Sequence, residues 1–329
     1  MITIKKYNKK LAEQWDKFVN ISNNGTIFQI RKFLNYHIHR QFNDYSLIIY
    51  NNKNIVAIIP GVCITENQKK TYYSHPGMSY AGLVTKLDLN FALINEIIES
   101  LDSYLVKNNF QKIFLINSPN IYWQQGDQSL DYLLQWNKYQ IKEIYISHVS
   151  NIKHCKTVES LLSKRKRRYI VNDSQLNNFT FKKIKNYDEL IELYVLLEKT
   201  KKKFNTTPTH SIEELSQLYS LFPDDIVIYI SRLDENIVGG FVIFHTTKKT
   251  SLIFYNIIDE IMTESQLSAL QLYNCMKICK KRGSDVVDFG VSHTPEQDNP
   301  LDPKFSLIQF KEQFGARGIM RIAYQKELH

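Results

Sequence analysis

The fold is decided by two stretches, SLIIYNNKNIVAIIPGVC (Ser46 to Cys63) and IVIYISRLDENIVGGFVIF (Ile226 to Phe244). Each is an apolar, β-branched run, a polar turn leading into Asn-Ile-Val, and a second apolar run, the pattern of a β-hairpin. The triplets are Asn54-Ile55-Val56 and Asn236-Ile237-Val238. Phe42-Asn43-Asp44 stands before the first hairpin and Phe222-Pro223-Asp224 before the second. Further upstream, Leu11, Trp15, Phe18 and Val19 in one half, and Leu190, Leu193, Tyr194 and Leu197 in the other, recur at helical spacing. Downstream, Leu89 to Asn108 and Glu264 to Arg282 read as long helices, each running into a short strand, Lys112 to Ile116 and Asp285 to Phe289. One pattern is written twice, about 180 residues apart.

Each half therefore reads strand, two helices, hairpin and third strand, long helix, strand, further helix and terminal strands. Antiparallel strands followed by a helical crossover predict an α/β protein: a mixed, mostly antiparallel sheet flanked by helices in each half. The expected organisation is one domain over 1–156, a basic linker helix over 157–176 and a second domain over 177–329. A length of 329 residues with 43% hydrophobic and 12% aromatic content supports two packed cores. The formal net charge is +9, and Lys164-Arg165-Lys166-Arg167-Arg168 supplies five of those charges. That run is read as a solvated helix face or as a contact for substrate phosphates. The four cysteines form no CxxC pair; Cys275 and Cys279, one helical turn apart, read as buried rather than as metal ligands, so no metal is expected. No export signal or membrane-length apolar segment is visible, and a cytoplasmic location is the expectation.

Near the C-terminus the chain reads VVDFGVSHTPEQDNPLDPKFSLIQFKEQFGARG (Val286 to Gly318), a strand lifting an acid to its end, a polar loop and an aromatic-spaced helix. Asp-Phe-Gly alone does not make a kinase, because the glycine-rich loop, strand lysine and HRD-type loop are missing. With GTIFQIRKFLNYH (Gly25 to His37), SHPGMSYAGL (Ser74 to Leu83), SKRKRRYIV (Ser163 to Val171), PTHSIEEL (Pro208 to Leu215) and FKEQFGA (Phe310 to Ala316), this order resembles the Fem-like and related tandem GNAT acyltransferases.

That resemblance implies two tandem GNAT-like domains and N-acyl transfer to an amine. The favoured donor is acyl-CoA as a co-substrate, with no permanently bound cofactor, and the favoured acceptor is a nucleotide-linked amino sugar of cell-surface glycan biosynthesis. The alternatives are a Fem-type transferase using aminoacyl-tRNA and a non-catalytic glycan- or nucleic-acid-binding protein. The chemistry demands a base for the amine, donors for the oxyanion and neutralisation of the leaving group. In the GNAT fold the strands after the hairpin splay to take the pantetheine arm, and the next helix receives the pyrophosphate. Here Met262 to Ala269 lacks the usual glycines; Thr263 and Gln266 fit a capping box, and Glu264 would repel phosphate. Gly77 and Gly82 make the first half more permissive.

Asp288, at a strand end, and His210, just before a helix capped by Ser211 and Glu214, are the expected catalytic residues. His75, on a turn facing solvent or a cleft, Tyr80, Tyr255, His293 and Lys311 are the expected substrate- or donor-binding residues. His293 could pair with Asp288 as a proton relay, and Lys311 could neutralise charge or merely join a surface ion pair. Phe310 and Phe314, at i and i+4, read as core.

Overall fold

The computed structural model describes residues 1–172, 178–203, 205–293 and 301–329. Two compact units emerge, Met1–Ile144 with Met320–His329, and Tyr145–Ile319.

The first unit runs β1 (Ile2–Lys6), α1 (Ala12–Ile21), α2 (Arg31–Leu34), β2 (Leu47–Asn51), β3 (Asn54–Ile59), β4 (Gly61–Glu66), β5 (Lys69–Ser74), β6 (Val84–Thr85), α3 (Phe91–Lys107), β7 (Lys112–Ile116) and α4 (Ser129–Trp136), and leads into β8 (Gln140–Asn151). Pro60, which cannot donate to a ladder, separates β3 from β4. The chain changes partner there: β3 pairs β2 and β6, whereas β4 pairs β5. β5 then lies parallel to β7.

The second unit continues with α5 (Lys164–Asn172), β9 (Phe179–Lys183), α6 (Tyr187–Lys202), α7 (Ile212–Leu221), β10 (Ile226–Leu233), β11 (Asn236–His245), β12 (Thr250–Ile258), α8 (Leu267–Arg282), β13 (Val286–Val291), α9 (Phe305–Glu312) and the start of β14 (Arg317–Glu327). Its sheet runs β8-β13-β12-β11-β10-β9, antiparallel except for the β12/β13 pair. One face packs on α8 through Phe241, Ile243, Ile253, Val287 and Phe289, with Cys275, Met276, Cys279 and Phe314 filling the same core. Burial pushes both thiols up, that of Cys279 to about 12, so they stay protonated and act as small apolar groups.

The duplication extends to backbone detail. Tyr50 and Ile49 face Ile55 and Ala57, so Val56 is the extra residue of a bulge; Arg232 and Ser231 face Ile237 and Gly239, so Val238 is its counterpart. Each bulged valine accepts one backbone bond from a distant residue, Lys86 N to Val56 O and Asp259 N to Val238 O, both at 2.8 Å.

Two local expectations are corrected. The basic run does not lie in one helix from residue 157: a 3-10 turn covers Val158–Leu161, Leu162 is extended, and α5 starts at Lys164. Residues 173–176 of that expectation lie outside the described residues. Thr263 and Gln266 do not form a capping box. Thr263 ends a 3-10 turn (Glu260–Met262), and α8 starts at Leu267 with no cap from the Gln266 side chain. The box at α7 is present, with Ser211 Oγ accepting Glu214 N at 3.2 Å and Glu214 Oε2 accepting Ser211 N at 3.1 Å.

Candidate active site

β12 and β13 pair over three rungs, Thr250–Val286, Ser251–Val287 and Leu252–Asp288. Beyond the last rung β12 runs on to Ile258, bulged at Phe254, and β13 to Val291. The two backbones fork there, exposing peptide groups that a continuous ladder would consume. In the first unit the matching place is filled by its own chain. After the last β5/β7 rung, Tyr73–Phe114, Ser74 Oγ accepts Ile116 N, Ala81 N and Gly82 N both bond Ile116 O, and Leu83 N bonds Asn117 Oδ1.

Asp288, fully buried, stands at the root of the fork. One carboxylate oxygen accepts Gly290 N at 2.7 Å, and Gly290 adopts φ +73°, a left-handed turn that glycine makes without strain. That turn aims two carbonyls at α9. Lys311 Nζ donates to Gly290 O and Val291 O, both at 2.8 Å, and to Ser292 Oγ at 2.9 Å. Burial pushes the ammonium down to about 7, and the Asp288 charge opposes that shift. Lys311 is therefore no member of a surface ion pair; Glu312, beside it, is exposed. The helix is seated by Phe314, fully buried and edge-on to Phe310 at 5.5 Å.

On the other limb, Tyr255 lies three residues past Leu252. Its Oη accepts Thr209 N at 3.1 Å and His210 N at 3.3 Å and meets His210 Nδ1 at 3.1 Å. The hydroxyl thus ties the loop before α7 to β12 and holds the His210 ring at Nδ1. Burial raises the Tyr255 phenol to about 12. Lys201 lies 5.8 Å from its ring centroid, and burial lowers that ammonium.

His293 packs edge-on against Tyr145, 5.4 Å between centroids, and bridges Pro303; most of the loop after it, residues 294–300, lies outside the described residues. His75 and Tyr80 belong to the first unit. The expected solvent- or cleft-facing His75 is instead buried, 4.6 Å from the Phe42 ring and stacked at 6.4 Å on His37. Burial, then His37, pulls its pKa down to about 4. Tyr80 is buried between Phe28 and Tyr122 with the Arg321 guanidinium 4.5 Å above its ring.

Two further polar residues, which the sequence reading does not single out, adjoin Lys311. His148 and Ser292 meet through Nδ1 and Oγ at 2.9 Å, and both are buried. The alternation in ISHVSN (Ile146 to Asn151), polar where a buried strand is normally apolar, was the available signal.

Two repeats of this order, each with a bulged hairpin, a helical crossover and a parallel strand, define a tandem GNAT-like fold. Solved structures share it. FemX matches with TM-score 0.74 at 11% identity, over 99% of this chain and 97% of that one. The C-terminal domain (DUF2156) of a putative lysylphosphatidylglycerol synthetase from Agrobacterium fabrum matches at TM-score 0.61 and 12% identity, over 97% and 92%. A tandem GNAT protein from the clavulanic acid biosynthesis pathway matches at TM-score 0.54 and 8% identity, over 100% and 99%. No protein-family model and no curated protein matches the sequence. At these identities the likeness establishes the tandem GNAT, Fem-like fold. Among the described residues, no helix is long and apolar enough to cross a membrane.

Proposed function

We propose that the second unit transfers an acyl group from an activated carrier to a primary amine, and that the carrier is an aminoacyl-tRNA. The observations that carry the reading are the fork between β12 and β13 and a buried lysine held on β13 two and three residues past the last rung. Peptide groups released by the fork suit an extended acyl-bearing arm, and a cation there suits the charge that develops on the oxyanion or leaving group. In this reading Asp288 accepts the amine's proton and Lys311 stabilises the developing anion. His210, its Nδ1 held by Tyr255, lies on the other limb and would contact substrate. His293 stands two residues past the end of β13 and would bound the acceptor. His75 and Tyr80 have no part in it.

The choice of carrier rests on α8 and α5. Where a pyrophosphate would meet the start of α8, Ser265 Oγ accepts Leu267 N at 3.2 Å, and Gln266 Oε1 accepts Lys166 Nζ at 2.7 Å. The first N–H of that end is thus taken by the protein's own serine, and Glu264 is exposed beside it. Lys164, Arg165, Arg167 and Arg168 are exposed on α5, as an extended polyanion requires. The second reading, acyl-CoA with a nucleotide-linked amino sugar as acceptor, draws on the same fork, the form that takes a pantetheine arm in GNAT proteins.

The purified protein, given aminoacylated tRNA or acyl-CoA with a nucleotide-linked amino sugar, is expected to consume the former in a ribonuclease-sensitive manner. Lys311→Ala should lower that turnover by about 10²–10³. Turnover with acyl-CoA alone would select the second reading, and a chain inert with both donors would be a binding protein.

A further inference from the structure

Lys311 has an arrangement that serves two charge states equally. Its ammonium has three N–H bonds and meets three oxygens, and two of these, Gly290 O and Val291 O, can only accept. The third, Ser292 Oγ, can accept or donate, and its other partner, His148 Nδ1, can do the same. With Lys311 charged, Ser292 accepts from Nζ and gives its hydrogen to Nδ1. With Lys311 neutral, two N–H bonds still serve the carbonyls, and the nitrogen lone pair takes the serine hydrogen.

We propose that Lys311, Ser292 and His148 form a proton relay, in which deprotonation of Lys311 reverses both hydrogen bonds of Ser292 and switches His148 from the Nε2–H to the Nδ1–H tautomer. The bonds balance. An Nζ–H bond breaks as an O–H bond forms on Ser292, and the serine's former hydrogen bonds to His148 Nδ1. The Nε2 proton of the resulting imidazolium then leaves to water, so one proton reaches solvent. Every step lies within the second unit.

The surroundings place the exchange near neutrality. Burial lowers Lys311 to about 7 against the pull of Asp288 on β13. His148 on β8 is lowered by burial and by the Lys311 charge, and raised by Glu312 on α9. From α5, Lys166 Nζ lies 5.4 Å from the ring of Phe310 on α9. Beyond Ser292, His293 is packed on Tyr145. The Nε2 end of His148 lies toward Gly318, an exposed residue, 3.9 Å from where a β-carbon there would stand, with the Ile146 side chain beside it. His148 and Ser292 are thus positioning residues that set the charge of Lys311, and their value to catalysis rests on the transfer reading above.

The test is nitrogen NMR on the full chain labelled at histidine and lysine, from about pH 5 to 9, with His148→Gln and Lys311→Met giving the assignments. The wild type should show His148 Nδ1 bare below the Lys311 midpoint, once the imidazolium has titrated, and protonated above it. Ser292→Thr should keep the switch; Ser292→Ala and Lys311→Met should each leave one tautomer throughout. One tautomer in the wild type, or a switch that survives in either of those two variants, overturns the relay. If Ser292→Ala does not fold, Lys311→Met decides alone. The readout is independent of turnover: a switch in a protein that transfers nothing keeps the relay and removes the functional reading, and transfer without a switch does the reverse.

Discussion

At the scale of single residues, Lys311 couples stability to pH in a direction opposite to that of an ion-paired lysine. Its folded pKa, about 7, lies below the ordinary value of 10.5, so between these the unfolded chain holds a proton that the native one has released. Stability therefore rises with pH across that window, by a few kcal/mol at most, and the burial penalty is fully present below it. Chemical denaturation at pH 7 and pH 9.5 should show the rise in the wild type, and Lys311→Met should flatten it. Tyr255→Phe should cost about 1–3 kcal/mol, because it strands the buried N–H of His210 and removes the acceptor of the Thr209 N–H; a thermal melt reads this directly. Lys311 could be picked out from the sequence, but its burial could not. What buries it is the left-handed turn at Gly290, which a lone glycine in a strand hints at without specifying. His148 and Ser292 were hidden for a related reason: 144 residues separate them, and only strand pairing brings them together.

Elements were legible where one short stretch carries its own instructions. The hairpins declared themselves by alternation and turn chemistry, and α7 by a box whose partners stand three residues apart. Ser211→Ala should lower stability by about 1 kcal/mol, measured as a shift in the denaturation midpoint, and should loosen His210, which directly precedes the cap. The start of α8 was misread because Thr263 and Gln266 have box spacing; in the fold, Thr263 Oγ1 instead donates to Glu260 O and Gln266 is held by Lys166, 100 residues away. The break before α5 was similarly out of reach. Ser163 N bonds Gln313 O, a contact made 150 residues later that draws Leu162 out of the helix.

At the scale of the whole molecule, repetition was legible and connectivity was not. β8, the last strand of the first repeat, pairs with β13 in the second unit, and β14, the last strand of the second, pairs with β7 in the first. The repeats trade their closing strands. A chain cut after Gly318 would leave β7 without its Ala323–Glu327 neighbour, and Asp102 and Asp131 without Lys326 and Tyr324. Limited proteolysis of that truncated chain should cleave first within residues 1–144, while the Lys311 NMR signal persists. Even cleavage across both units would count against independent roles for the two traded strands.

The exchange also imposes a schedule on synthesis. A ribosome adding about 5–20 residues per second needs roughly ten to forty seconds to travel from the end of the N-terminal unit to the strand that completes it. Throughout that interval the nascent β7 offers a bare edge to any passing polypeptide, so holdase chaperones should crosslink to ribosome-bound chains until residue 327 emerges.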